Sequence, residues 1–271
     1  MKFEYYNWSG ITVQHEDTLV GFDLFGEHVT PEVFADAERI VLCLTHGHPE
    51  HAGSLRALIE APETEPFLDK IDLISSTDVV KHVNRRGLLK SSNVHAVQPG
   101  QRVRFEGLEV TTFEWVHMPL LPPAFRDKVE YIFQLLLHPV DLVRIGVSGL
   151  LLPMNAPQLG FHLAFADGTT VLNYSEGVHR LTNPDEVARV SETLPAEWLL
   201  FAVEPDDTTV IPRWVEMLWP QHVIMYEAHR PWRDLFHLPF IDVRDYANQL
   251  IERFPEMRFS ALTERGQSVT R

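Results

Sequence analysis

Thr45-His46-Gly47-His48-Pro49-Glu50-His51-Ala52-Gly53 places three imidazoles and a carboxylate within six consecutive positions. The stretch directly follows Arg39-Ile40-Val41-Leu42-Cys43-Leu44, an apolar run whose length and composition suit a buried strand. Gly47 and Pro49 prevent a strand or a helix from running straight on, so the four polar side chains fall on a loop at a strand end. Imidazoles and a carboxylate gathered there suit a borderline cation. Zinc comes first, with manganese or iron also compatible.

His46-x-His48-x-Glu50-His51 resembles the His-x-His-x-Asp-His signature of the metallo-β-lactamase superfamily, with Glu in place of Asp. The lead-in is similar as well: Val20-Gly21-Phe22-Asp23-Leu24 reads as a strand ending in an Asp, and the strand over 40–45 and the motif follow in the family's order. The resemblance spans essentially the whole chain. It implies an α/β fold, a four-layer αββα sandwich in which loops from both sheets meet around the metals at one edge. By order along the chain it implies further ligands. His117 ends the strand over 110–116. Glu176, in Tyr174-Ser175-Glu176-Gly177, stands where the family has a bridging Asp, and His229 follows the strand over 223–226. On this pattern one metal takes His46, His48 and His117, a second takes Glu50, His51 and His229, and Glu176 bridges. Both Asp positions have become Glu. The added methylene pushes each carboxylate outward unless the backbone retreats, so Glu50 either ligates or serves as a base beside the metal. Asp23 is expected to accept hydrogen bonds from a ligating imidazole or from the metal loop.

Composition narrows the function classes. With 271 residues, 45% of them hydrophobic, and no linker-like segment, the chain reads as one domain. The net charge of −15 argues against a nucleic-acid partner, which requires a basic stripe to release counterions. Lys81, Arg85, Arg86 and Lys90 form a local basic spot that reads as a solvated helix face. A single cysteine, Cys43, forms no internal disulfide and reads as a core side chain, with a reducing cytoplasm as the default location. The N-terminal residues lack an apolar stretch suited to a signal peptide, and the apolar tract 132–152 is interrupted by His138, Pro139, Asp141 and Arg144, which rules against a membrane span.

Periodicity predicts a hairpin over 11–22, a helix over 52–60, a strand over 71–75 and a helix over 78–87 with Gly87 as its stop. A strand over 94–97 is expected to pair with a hairpin formed by 102–105 and 108–116. Residues 118–160 then break the pattern with many prolines, a helical stripe of Phe125, Val129, Ile132, Phe133 and Leu136, and a second apolar stretch over 142–152. They read as a helical insertion, suited to a homo-oligomer interface or to capping the metal edge with apolar groups, Met118 or Met154 among them. A hairpin over 161–174 and alternating elements at 184–193, 198–203, 212–218, 222–226, 243–254 and 258–262 complete the chain. His179 and His237 are the two further histidines that could fall near the pocket.

A cation held by neutral imidazoles keeps its charge and an open position, lowering the pKa of a coordinated water from near 16 to about 7. The expected activity is therefore hydrolysis, by metal-bound hydroxide, of an ester, lactone or phosphoester in a small-molecule substrate, with Glu50 and Glu176 as the catalytic carboxylates and one or two zinc ions as cofactor. Two other readings stand beside it: a mononuclear iron enzyme that oxidises thiols or sulfur compounds, and a non-catalytic protein of the same fold that binds a metabolite.

Overall fold

The computed structural model describes all residues except 25–28, 119–121, 123 and 144–151. The first sheet contains β1 (Lys2–Tyr5), β2 (Ile11–His15), β3 (Thr18–Phe22), β4 (Arg39–Cys43), β5 (Ile71–Ser75) and β6 (Val94–Ala96). The last strand, β14 (Ser268–Thr270), joins its β1 edge, giving the order β14-β1-β2-β3-β4-β5-β6. The second sheet contains β7 (Arg102–Phe105), β8 (Leu108–Glu114), β9 (Leu159–Phe165), β10 (Thr170–Ser175), β11 (Trp198–Ala202), β12 (His222–Tyr226) and β13 (Arg258–Leu262), in the order β13-β12-β11-β10-β9-β8-β7.

Both sheets are buried on two faces, and the period-2 alternation of side chains shows it. In β4, Val41 and Cys43 point into the core between the sheets, while Ile40 and Leu42 point to the outer helices. In β11, Trp198, Leu200 and Ala202 face inward and Leu199 and Phe201 outward. The inner core is shared: Phe3, Val20 and Val41 from one sheet meet Phe161, Leu200 and Ile224 from the other.

Helices α1 (Ser54–Glu60) and α2 (Thr77–Val83) cover the first sheet through Leu55, Leu58, Val79 and Val83. Helices α4 (Pro184–Thr193), α5 (Ile211–Leu218) and α7 (Val243–Arg253) cover the second through Val187, Trp214, Val215 and Leu250. Seven-residue helices are far below the ~12–15 residues that hold a helix in water, so α1 and α2 persist because their apolar sides pack. The result is the four-layer αββα sandwich expected from the sequence. Helix α3 (Phe125–Leu137) and α6 (Arg230–Leu235) lie outside these layers and pack together through Tyr131, Trp232 and Phe236. No helix among the described residues is long and apolar enough to cross a membrane.

Several boundaries differ from the sequence reading. β6 pairs only with β5, as the edge of the first sheet, and β7 and β8 begin the second sheet instead of pairing with it. The helix expected over 78–87 ends at Val83, because the Asn84 side chain caps the turn by bonding both backbone groups of Leu89, and Gly87 sits in the left-handed region beyond it. β8 stops at Glu114, three residues short of His117. The insertion expected over 118–160 gives up its end to β9, which begins at Leu159. Most of the apolar stretch 142–152 lies outside the described residues. β1, β14 and α6 were not anticipated.

Candidate metal centre

The direction of the strands assembles the site. β3, β4 and β5 are parallel, as are β10, β11 and β12, and β8 runs with β10 because β9 is antiparallel to both. The segments leaving the carboxyl ends of β3, β4, β8, β10, β11 and β12 carry Asp23, the His46–His51 loop, His117, Glu176, Glu204 and His229 in turn. One edge of the sandwich thereby gathers every predicted ligand.

Within the metal loop, Pro49–Gly53 forms a single π-type turn, wider than an α-turn and frequent at functional sites. It turns His51 into the interior and leaves Glu50 at the rim, with 19% of its side chain exposed. Gly47 is required for close approach: a Cβ there would lie 2.2 Å from the Pro153 carbonyl oxygen. Glu176 is aimed by a bulge. β10 slips register against β11 between Asn173 and Ser175, and Ser175 adopts φ +49°.

Three imidazoles repeat one arrangement, with one ring nitrogen hydrogen-bonded to the protein frame and the other directed at a common centre, and a fourth, His51, faces Asp23 in the same sense. Thr45 Oγ1 spends its proton on Asp23 Oδ2 at 2.8 Å, so it accepts from His46 Nδ1 at 2.8 Å and leaves His46 Nε2 as a lone pair. His117 Nδ1 donates to the Met118 carbonyl at 2.7 Å. His229 Nδ1 donates to Glu204 Oε1 at 2.8 Å, and Arg233 donates to the other oxygen of Glu204. His51 Nδ1 lies 3.2 Å from Asp23 Oδ1. This is the outer support typical of metal-binding histidines.

Around the centre, His46 Nε2 lies 3.0 Å from His48 Nδ1. Glu176 Oε2 lies 3.1 Å from His117 Nε2, and Glu176 Oε1 lies 3.5 Å from His51 Nε2 and 3.8 Å from His229 Nε2. His117 Nε2, both ring nitrogens of His51, and Glu176 Oε2 are buried without a well-formed hydrogen bond. Ring nitrogens and a carboxylate that converge on one centre, with buried atoms among them lacking a hydrogen-bond partner, are a donor set a cation satisfies. Two trios have ligand atoms all within 4.8 Å: His46, His48 and His117, and His46, His51 and Glu176. Glu50, whose Oε1 is 3.5 Å from His48 Nδ1 and 4.0 Å from His51 Nε2, and His229 stand just outside these trios.

Electrostatics follow the geometry. Burial and the neighbouring His51 push His46 well below the usual histidine range, so it is neutral. Burial acts to raise Glu176, but His229, His117 and His51 outweigh it and hold the carboxyl well below its usual range. Burial likewise opposes charge on His229, yet Glu176 and Glu204 raise it to about 9.

Three supporting residues escaped sequence reading. Ser9, buried in the β1–β2 turn, donates to Glu176 Oε1 at 2.8 Å, and only the fold reveals it. Thr45 opens the motif without being a ligand, and its supporting role depends on Asp23 and His46 being in place around it. Glu204 follows the end of β11 just as Glu176 follows β10, and that signal could have found it. Asp23 takes the expected supporting place, accepting from the Thr45 amide at 2.8 Å as well. His179 braces the chain at Val116, bonding its carbonyl at 2.6 Å, and His237 is exposed.

The sequence matches no protein-family model and no curated protein. Among solved structures it is similar to Igni18, a metallo hydrolase of the archaeon Ignicoccus hospitalis, with TM-score 0.61 and 12% identity over 99% of this chain and 97% of that one. It is similar to YhfI of Bacillus subtilis, a metallo-β-lactamase fold protein, with TM-score 0.55 and 13% identity over 99% and 98%. It also resembles CmlA of Streptomyces venezuelae, a diiron β-hydroxylase, with TM-score 0.60 and 13% identity over 100% of this chain but 54% of that one. Identities this low speak for architecture, and with the His/His/Glu cluster at the expected edge they show that this chain has the metallo-β-lactamase fold.

Proposed function

We propose that the chain is a metal-dependent hydrolase acting on an ester, lactone or phosphoester bond of a small molecule. The observation that carries this reading is the set of four imidazoles, each turning one nitrogen to a frame acceptor and the other to a shared centre beside a buried carboxylate. His46, His48 and His117 would hold a first ion; His51, Glu176 and His229, with Glu50 from the rim, would hold a second. Zinc suits the donors best, and manganese or iron also fits a His/carboxylate set. A cation there supplies Lewis-acid activation of water and of the substrate oxygen near neutral pH.

The chain's own residues supply orientation and proton handling. Thr45, Asp23, Met118 and Glu204 orient the rings so that the second nitrogen of each faces the centre. Glu50 is the carboxylate best positioned to take a proton at the rim. Burial acts to raise its pKa, but His48 and His51 hold it below the ordinary range, so it is ionised and able to accept.

Metal content per chain, measured on protein purified without chelator or added metal, tests the reading. One or two equivalents of zinc or manganese, lost in His46→Ala and His117→Ala together with turnover of an ester, lactone or phosphodiester panel, is the expected result. Unchanged metal in His46→Ala would refute the ligand set. A single iron with thiol oxidation would select the redox reading, and metal-free protein that retains a metabolite would select a binding role.

A further inference from the structure

Eight of the sixteen exposed large hydrophobic side chains among the described residues lie between 125 and 143. Helix α3 is held to the body by its inner side. Tyr131 is buried there and receives the Trp232 indole N–H at 2.9 Å, with Leu135 and Leu142 packed alongside. The other side faces outward and is apolar: Phe125 is 82% exposed and Leu136 65%, and Val129, Ile132, Phe133 and Leu137 are exposed as well. Val140 and Val143, 78% and 66% exposed, extend the surface beyond the helix.

Phe125, Val129, Ile132 and Leu136 are spaced four, three and four residues apart, the alternation of a helix-pairing seam. With two aromatic side chains of roughly 150–250 Å² each and six smaller aliphatic ones, the eight exposures leave on the order of 700 Å² of apolar surface. That exceeds the ~300–600 Å² of the largest patch on an ordinary monomer and is close to the ~800 Å² each partner gives a standard interface. Charge also selects the occupant. Arg126 and Lys128 balance Asp127 and Glu130, so α3 is neutral on a chain of net charge −15. A neutral helix meets its own copy without local repulsion, whereas an interfacial membrane helix carries a lysine- and arginine-rich polar face.

We propose that the outer face of α3 seats a second copy of this chain, α3 against α3 about a two-fold axis. Because the inner face of the same helix grips Trp232, three residues after His229, the dimer would also brace one wall of the metal centre.

Light scattering on the full chain at micromolar concentration should give twice the 31.2 kDa of one chain. Ile132→Glu with Leu136→Glu, both at exposed positions, should halve that mass with an unchanged far-UV spectrum. Should this variant not fold, cysteines placed in turn at the seam (Val129→Cys, Ile132→Cys, Leu136→Cys) decide instead. At least one should give an oxidative cross-linked dimer, since native Cys43 is buried. A monomeric wild type, a dimer that survives the folded double variant, or no cross-link at any seam position would overturn the proposal. A monomer that pellets with phosphatidylcholine vesicles would overturn it in favour of a membrane surface.

Discussion

Asp23 ties the first sheet to the metal loop, and its removal has a calculable cost. Its buried carboxylate accepts from the Thr45 amide and the Thr45 hydroxyl, each at 2.8 Å, and faces His51 Nδ1 at 3.2 Å. Hydrogen bonds to a charged acceptor are worth ~1.5–3 kcal/mol each, so Asp23→Ala forfeits about 3–6 kcal/mol from Thr45 alone. Asp23 also has φ +44°, a conformation that Asp and Asn tolerate and that costs alanine about 1 kcal/mol more. A loss of at least ~4 kcal/mol, at ~2–4 °C per kcal/mol for a chain of this size, lowers Tm by about 8–16 °C. Asp23→Asn keeps the left-handed tolerance and one carbonyl acceptor for the Thr45 amide, so it should lose about half as much. The assay is thermal unfolding followed by circular dichroism with chelator present, which removes the contribution of metal binding by mass action. An alanine variant that melts within about 2 °C of wild type, or an asparagine variant no better than alanine, would refute the reasoning.

Glu50→Asp shortens the rim carboxylate by one methylene and should retain or increase metal at the second position, read as equivalents bound per chain; loss of that ion would mean Glu50 needs its full length. Ser9→Ala removes the hydroxyl that orients Glu176, and by the usual effect of outer supporting bonds should weaken metal affinity ~10–100-fold in a chelator competition. Gly47→Ala drives a Cβ against the Pro153 carbonyl and should destabilise the apo-protein by ~1–3 kcal/mol in urea unfolding, with metal uptake falling in parallel.

What was legible in the sequence follows from how far apart the interacting residues lie. The His46–His51 loop is contiguous and needed no fold to be found. His117, Glu176 and His229 were implied by the family's order of ligands along the chain, and in the fold each follows a strand whose carboxyl end lies at the same edge. Ser9 had no such marker, since its partner is 167 residues away. Strands β1 and β14 are four and three residues long, too short for alternation to announce them; β1 is held by pairing with β2 and by burying Phe3 and Tyr5, and β14 by pairing with β1. Helix α3 was recognised from its apolar stripe, yet that stripe faces away from the body, and Tyr131 and Leu135 hold the other side. Periodicity identifies a face without saying which neighbour covers it.

The two glutamates that replace aspartates are physically unlike each other. Glu176 is buried, re-aimed by the β10 bulge and the left-handed Ser175, and tied at Oε1 by Ser9. Its extra methylene is therefore taken up by the backbone, and its second oxygen is left facing His117. Glu50 stands on a π-type turn at the rim, where the extra length carries the carboxylate past the tight trios and alongside His48 and His51. Glu176 lies within a ligand-distance trio, whereas Glu50 lies outside both trios and is partly exposed. On the proposed function, a lengthening at both positions would divide two roles, with Glu176 holding charge at the centre and Glu50 taking a proton at the rim.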